Sequence, residues 1–264
     1  MATYAWITLA AFAAGVINAV AGGGTLLTFP ALLSVLPSVV ANGTSTVALV
    51  PGSLAGAWGY RQEVRASSRW IGLLLVPSVI GGALGTLLVT RLDERYFTRM
   101  VPWLILTATL LFLIQPTLAR LTGIGKPHAS PGKSMTVAIV IGQILVAVYG
   151  GYFGAGIGIL MLSSLALLGL ADIHQMNGIK AVLAACINSA SIAVFVADRK
   201  VVWSYAVLMA AAAIAGGYCG AVSARRLRPE LVRWVVIIIG FALSAYYFLN
   251  PPLSSPGISP APAM

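Results

Sequence analysis

The sequence has 264 residues, of which 59% are hydrophobic and only 8% are charged. Soluble domains are about a quarter charged, so this composition excludes an ordinary soluble protein and indicates a chain that lies in lipid. The formal net charge of +10 would suit a nucleic-acid binder. However, the basic residues lie in short segments between apolar runs, so we expect no nucleic-acid partner.

Apolar segments follow one another along the chain, and a spanning helix needs about 20 mostly apolar residues. Two segments are short, Thr25–Leu36 and Ile157–Leu170. Eight are long enough to span: Tyr4–Ala21, Asn42–Tyr60, Trp70–Thr90, Arg99–Thr117, Met135–Phe153, Asn177–Val196, Val202–Ser223 and Val232–Leu249. The first lacks a basic leader, so it is predicted to be a helix and not a signal peptide. The sequence therefore predicts an all-α integral membrane protein.

The two halves of the chain resemble each other in the order and spacing of their motifs. We therefore predict an internal repeat. Three matched pairs lie 135 residues apart and the fourth lies 134 apart. The pairs are AGGGTLLTFPALL with AGIGILMLSSLALL (from Ala21 and Ala155), Asn42-Gly43 with Asn177-Gly178, GGALG with GGYCG (from Gly81 and Gly216), and Arg91-Leu92 with Arg226-Leu227. The predicted domains are a membrane repeat at 1–117, a cytoplasmic linker at 118–134, a second membrane repeat at 135–250 and a disordered tail at 251–264.

Loop charges predict how the segments cross the membrane. If all ten segments cross, the loops 61–69, 118–134 and 224–233 share one side with ten Lys and Arg, and 91–99 and 198–200 share the other with five. The more basic side is then cytoplasmic and both termini lie outside. If the short segments do not cross, the counts become eight and seven, which orient nothing. We therefore expect ten crossings, and because five per unit is odd, the units are predicted to have inverted topology, with short or broken helices near the midplane.

Glycines interrupt an apolar stretch at the same place in each unit. Backbone groups without hydrogen-bond partners cost several kcal/mol in hydrocarbon, so a break at membrane depth needs protein or water around it. Paired broken helices indicate a binding site near the midplane. The alternative is close helix packing through small residues, and the glycines alone favour neither. The interruptions are Gly22, Gly23 and Gly24 in the first unit and Gly154, Gly156 and Gly158 in the second.

An Asn-Gly pair is predicted to open a long helix in each unit. Asn is a good N-cap, and a helix N-terminus offers free N–H groups and a positive dipole end to an anion. In inverted units the two starts are predicted to face each other near a pseudo-twofold axis. The alternative is ordinary capping without a ligand. The motifs are Asn42-Gly43-Thr44-Ser45-Thr46 and Asn177-Gly178-Ile179-Lys180.

Lys180 is the one basic residue placed within a predicted span beyond the first two residues of that span. A charge there is costly and indicates a functional role, although its place near a helix start also allows it to reach the membrane surface. Together these arguments give the predicted substrate-binding residues: Asn42, Gly43, Thr44, Ser45, Thr46, Asn177, Gly178, Lys180, Gly22, Gly23, Gly24 and Gly156.

Enzyme motifs are missing from the sequence. It has no Gly-x-Ser-x-Gly elbow, no HExxH and no Walker loop, so we expect neither an enzyme nor an ATP-driven pump, and no cofactor. Cys186 and Cys219 lie in apolar runs without CxxC spacing, which argues against a disulfide or a zinc site. No buried carboxylate is predicted to carry protons, because the following acidic residues lie in predicted loops: Asp93, Glu94, Asp172, Asp198 and Glu230.

The chain has three distinctive features, which are GGGTLLTFPAL, the Asn-Gly-Thr-Ser-Thr segment and the duplication. With these features it resembles the TauE/SafE sulfite exporter family, from about residue 6 to 249. The resemblance implies a secondary carrier in a bacterial inner membrane for small sulfur-containing anions: sulfite, sulfoacetate, other organosulfonates or thiosulfate. It does not define the substrate ligands, which rest on the helix-terminus argument. The positions that it carries over are Gly22, Gly23, Gly24, Pro30, Gly154, Gly156 and Gly158.

We therefore expect an exporter of a small sulfur-containing anion that works by alternating access in the lipid bilayer. The alternatives are a passive anion channel, a thiosulfate or sulfonate importer, and a membrane redox or sensor protein that uses Cys186 and Cys219. A homodimer is also open, because the GGALG and GGYCG faces suit helix packing within one chain or between two.

Overall fold

The computed structural model describes residues 2–20, 23–122, 132–168, 170, 172–223 and 229–251. Within these residues every regular element is an α-helix and there is no strand. The helices are α1 (Ala2–Val20), α2 (Thr25–Leu33), α3 (Ser38–Gly59), α4 (Arg61–Ala66), α5 (Ser68–Arg91), α6 (Glu94–Leu121), α7 (Lys133–Tyr152), α8 (Ile157–Ala166), α9 (Ile173–Ala197), α10 (Trp203–Ser223) and α11 (Pro229–Leu249).

The all-helical membrane fold is confirmed. By length and composition, α5, α6, α7, α9 and α11 can each cross a membrane. Their outward side chains include Leu145 of α7 and Ile238 of α11, each about two-thirds exposed, as expected of helices surrounded by lipid. α2 and α8 have 9 and 10 residues. At 1.5 Å per residue, they cover about half of a bilayer core of roughly 30 Å.

Several helix boundaries differ from the predicted ones. The polar helix α4 lies within the predicted 61–69 loop and was not predicted. α6 continues to Leu121 and α7 begins at Lys133, so both helices enter the predicted linker. The remainder of that linker and residues 252–264 of the predicted tail lie outside the described residues.

α5 and α7 pack side by side in the same direction. Gln143 Nε2 donates to Ser78 Oγ at 2.8 Å, and Thr86 Oγ1 donates to the Gly151 carbonyl at 2.9 Å, with both pairs 65 residues apart. Their backbones touch, because a Cβ at Gly85 would overlap the Val148 carbonyl oxygen. The GGALG glycines therefore pack helices within one chain.

α1 and α10 form the second close parallel pair. The rings of Tyr4 and Tyr205 lie 5.3 Å apart at the starts of the two helices, and a Cβ at Gly216 would overlap the Phe12 carbonyl oxygen. The sequence repeat matches α1 with α7 and α10 with α5, so the two closest helix pairs are equivalent under the repeat. This equivalence supports the predicted repeat.

One end of the bundle, called the Arg91 end below, is held by contacts between the two halves. Arg91 forms an ion pair with Asp198 at 3.3 Å, which joins the loop after α5 to the loop after α9. Both described termini lie at this end. Tyr4 stacks beside the start of α10, and Phe248 near the end of α11 packs on Trp103 at a ring distance of 5.0 Å.

The opposite end, called the Arg61 end, contains α4 and the starts of α5, α7 and α9. Tyr60, just before α4, lies 6.4 Å from the His174 ring at the start of α9. The described loops thus divide between the two ends as the ten-segment parity predicts. The first unit begins at the Arg91 end and the second at the Arg61 end, which supports an inverted repeat.

Candidate anion site

The glycine breaks at Gly23, Gly154 and Gly156 lie between helices, as predicted, whereas Gly158 lies in the first turn of α8. Gly23 separates α1 from α2 with φ of 95°, and Gly154 and Gly156 separate α7 from α8 with φ of 81° and 78°. L-residues with side chains rarely adopt this left-handed backbone, which is why glycine occupies these positions. Gly22 lies outside the described residues.

Both breaks contact the same turn of α6, near the middle of that helix. A side chain at Gly23 would overlap the Phe112 ring, and one at Gly156 would begin 3.3 Å from Leu111 Cδ1. The irregular backbone is therefore surrounded by protein at this depth, as the energetics of unpaired backbone in lipid require.

α2 folds back along α1 after its break. A Cβ at Gly24 would lie 2.8 Å from the Ala14 carbonyl oxygen, ten residues earlier in the chain. α2 is also antiparallel to α3, because Thr28 Oγ1 and Ser45 Oγ, on either side of the turn at 34–37, are 2.6 Å apart. The chain therefore reverses direction at each of these segments, although α2 alone is too short to span.

The predicted N-cap role of Asn42 and Asn177 is wrong. α3 begins at Ser38 and α9 at Ile173, so both asparagines lie one turn inside their helices. The Ala41 N–H already donates to the Pro37 carbonyl at 2.8 Å. The predicted meeting of the two helix starts is also wrong, because α3 and α9 run antiparallel: Gly43 packs on the Lys200 carbonyl beyond the end of α9.

Carboxylates occupy the true starts of these helices. Glu94 Oε1 accepts from the Val39 N–H at 3.3 Å and from the Ser38 hydroxyl at 3.1 Å. Asp172 Oδ1 accepts from the His174 N–H at 2.9 Å and caps α9. Acidic groups there satisfy free N–H groups and complement the helix dipole, so these two ends already hold negative charge. The sequence could have indicated Asp172 as an N-cap, because it directly precedes α9. Glu94 could not be found in this way, because it belongs to another helix, α6.

The polar residues of the first Asn-Gly motif join separate parts of the fold. Asn42 Nδ2 donates to the Tyr152 carbonyl, the last residue of α7, at 2.9 Å. Thr44 Oγ1 accepts from the Val202 N–H before α10 at 3.1 Å. Ser45 pairs with Thr28 of α2, and Thr46 donates to its own helix at the Asn42 carbonyl.

The second motif has a different chemistry. Lys180 Nζ donates to Asn177 Oδ1 at 2.7 Å. The lysine stem passes α8 at its first turn, where a Cβ at Gly158 would lie 3.4 Å from Lys180 Cδ. Gly178 faces the other way, under Tyr60 and Val64. Lys180 therefore lies beside the helix that starts at the second glycine break, and its ammonium points towards the start of α9.

Lys180 has no carboxylate partner among the described residues. The ion pairs among the described residues are Arg91–Asp198 and Arg95–Asp93. Its side chain lies inside a helix that can span the membrane, and its hydrogen-bond partner is a neutral amide. This unbalanced charge beside the positive end of α8 favours an anion.

An open apolar cleft of about 540 Å³ separates α3, α5 and α9. Cys186 and Ser189 are its polar members. The cleft lies further along α9 than Lys180, on the helices that form the interface between the two halves. Its lining residues are Leu54, Val79, Val182, Ala185, Cys186, Ser189 and Ala190.

Comparisons with known proteins agree with these observations. Residues 7–247 match the family described as "Sulfite exporter TauE/SafE". The chain belongs to the TauE/SafE family. The match covers both units, so the resemblance seen in GGGTLLTFPAL extends across the fold.

Several relatives of this TauE/SafE protein carry transporter names. A "Probable membrane transporter protein" of Haemophilus influenzae is 31% identical, over 89% of this chain and 90% of the relative. "Probable membrane transporter protein ORF9" of Sinorhizobium sp. is 25% identical over 94% and 93%. "Probable membrane transporter protein YfcA" of Escherichia coli K12 is 24% identical over 89% and 86%. No solved structure matches the chain. The protein is thus a multi-pass membrane transporter.

Proposed function

We propose that this TauE/SafE protein exports a small sulfur-containing anion, such as sulfite, sulfoacetate or another organosulfonate, by alternating access. The observation that carries the proposal is Lys180, whose ammonium lies within a spanning helix with only a neutral amide as partner. A charge within the membrane without an opposite charge is costly, and a bound anion would offset that cost.

The place of Lys180 supports an anion of small size. Its stem packs against the first turn of α8, whose N-terminal N–H groups follow the left-handed glycines at 154 and 156. Backbone N–H groups in such turns form small concave sites for oxyanions. A sulfonate or sulfite group has several oxygen acceptors around one sulfur, so it can accept from the ammonium and from further donors of the site at the same time. The family description supports this choice of anion.

The direct test is a comparison of sulfur anions with the purified protein. We expect one or more of sulfite, sulfoacetate, isethionate, taurine, thiosulfate and sulfate to raise the unfolding temperature, because a ligand that binds only the folded state stabilises it. In liposomes the same anion should show saturable flux with counterflow. Linear flux would indicate the channel instead, and uptake coupled to an inward gradient would indicate an importer.

A cross-link at the Arg91 end tests alternating access. Arg91 and Asp198 lie in different halves, so a cleavable thiol cross-linker between Arg91→Cys and Asp198→Cys should stop transport, and reduction should restore it. A matched control is Asp93→Cys with Arg95→Cys, whose ion pair of 3.3 Å lies within one half, and cross-linking it should leave transport intact. Unchanged flux after complete cross-linking of the first pair would contradict the mechanism.

The same experiment tests the orientation and the redox alternative. We propose a bacterial inner membrane with the Arg61 end in the cytoplasm and both termini in the periplasm, because the segments that contain more Lys and Arg in the sequence join helices whose described ends lie there. A membrane-impermeant cross-linker added to intact cells should therefore reach the Arg91 end. The cross-linking variants also carry Cys186→Ser and Cys219→Ser. Full transport in a protein with only these two substitutions would exclude the alternative of a redox or sensor protein.

A further inference from the structure

The side-chain oxygen of the repeated asparagine has different hydrogen-bond partners in the two halves. In the second half, Asn177 Oδ1 accepts from the Lys180 ammonium at 2.7 Å. In the first half, the matching Asn42 is only 1% exposed, and its Oδ1 has no hydrogen-bond partner among the described residues. The residue that matches Lys180, 135 positions earlier, is Ser45, which carries no charge. A cation thus sits on one oxygen, and the equivalent oxygen is buried without one.

The orientation of the Asn42 amide follows from its contact. Asn42 Nδ2 donates to the Tyr152 carbonyl at 2.9 Å, and a carbonyl can only accept. Turning the amide over would place two acceptor oxygens against each other. Oδ1 is therefore a genuine buried acceptor without a donor, which is rare in folded proteins and calls for a partner.

The surroundings of Asn42 Oδ1 favour a positive charge. Tyr152 is the last residue of α7, and a helix C-terminus carries the negative end of the dipole. Ser45 lies one turn further along α3 on the same face, and its hydroxyl is paired with Thr28 at 2.6 Å. These are all neutral oxygens, and irregular backbone beside the C-terminal end of a helix is the setting in which transporters hold Na⁺.

We infer that the first half of the chain binds a monovalent metal cation, with Na⁺ as its probe, at Asn42 Oδ1 beside the C-terminal end of α7. Divalent cations in proteins are usually bound with the help of carboxylates, and none of the oxygens named here is one. The free cation takes the position that the tethered ammonium of Lys180 takes in the other half. A role for it as the coupling ion rests on the proposed function, but its binding does not.

The test is the unfolding temperature of the full chain, purified in detergent, with no sulfur anion present. NaCl and KCl are each compared with choline chloride at equal ionic strength. We expect a rise of about 4 °C at a Na⁺ concentration about ten times Kd. The rise should disappear in Asn42→Ala and persist in Asn177→Ala, which removes the equivalent amide from the other half. Because no sulfur anion is present, this result does not depend on whether the proposed substrate is correct.

A second variant tests the comparison between the halves directly. Ser45→Lys installs the ammonium that the second half has, so the variant should unfold at one temperature in choline and in Na⁺. The inference is overturned if neither Na⁺ nor K⁺ raises the unfolding temperature above that in choline, or if Asn42→Ala responds like the unaltered protein.

Discussion

Replacing Lys180 by glutamine should weaken binding of the transported anion by about 10- to 100-fold. A hydrogen bond to a charged group contributes about 1.5–3 kcal/mol, and each 1.4 kcal/mol corresponds to a tenfold change in Kd. Glutamine keeps a donor for Asn177 Oδ1 and nearly the same stem beside Gly158, so the change removes mainly the charge. The measurement is the anion concentration that half-saturates the rise in unfolding temperature.

The control for this substitution is Lys133→Gln at the exposed start of α7. It removes the same charge from the protein outside the proposed site, so anion affinity should stay within about twofold. Lys180→Gln should also unfold at an equal or higher temperature without ligand, because removing an unpaired charge from a spanning helix relieves its desolvation cost. Anion affinity equal to that of the unaltered protein in Lys180→Gln would contradict the role of this residue.

Features that depend on neighbouring residues could be predicted from the sequence. The helix interruptions at Gly23, Gly154 and Gly156 follow from the backbone freedom of glycine, which is a local property. The Lys180–Asn177 contact spans three residues of one helix, so motif spacing already placed the two side chains together. Parity and loop charge gave the division of the loops between the two ends.

Features that depend on distant partners could not be predicted. α3 begins four residues earlier than expected because Glu94, more than fifty residues away, accepts from its first turn. The same change moved Asn42 into the helix, where it meets the end of α7. The anion site therefore moves from the starts of α3 and α9 to the start of α8, next to Lys180. Sequence alone shows that Asn42 recurs, but only the fold shows that its oxygen lacks the cation that Asn177 has.

Replacing Gly85 by alanine should destabilise the protein by about 3 kcal/mol, through overpacking of a helix contact that has no room to adjust. The new methyl group would overlap the Val148 carbonyl oxygen and lie 2.8 Å from the Tyr152 nitrogen, so α5 and α7 would have to separate. Both neighbours are backbone atoms, which cannot rotate away as a flexible side chain can. The measurement is the unfolding temperature in detergent, which should fall by about 6–12 °C.

Gly72→Ala is the matched control, because Gly72 lies in the same helix and a Cβ there meets nothing within 4 Å. Alanine is the better helix former by about 1 kcal/mol, so this variant should be neutral or slightly more stable. Equal unfolding temperatures for the two variants would contradict the close α5–α7 contact. Because Tyr152 also provides the carbonyl that binds Asn42, Gly85→Ala should weaken the Na⁺ response as well, and Gly72→Ala should leave it intact. Packing between α5 and α7 would then position the end of α7 at which we place the cation.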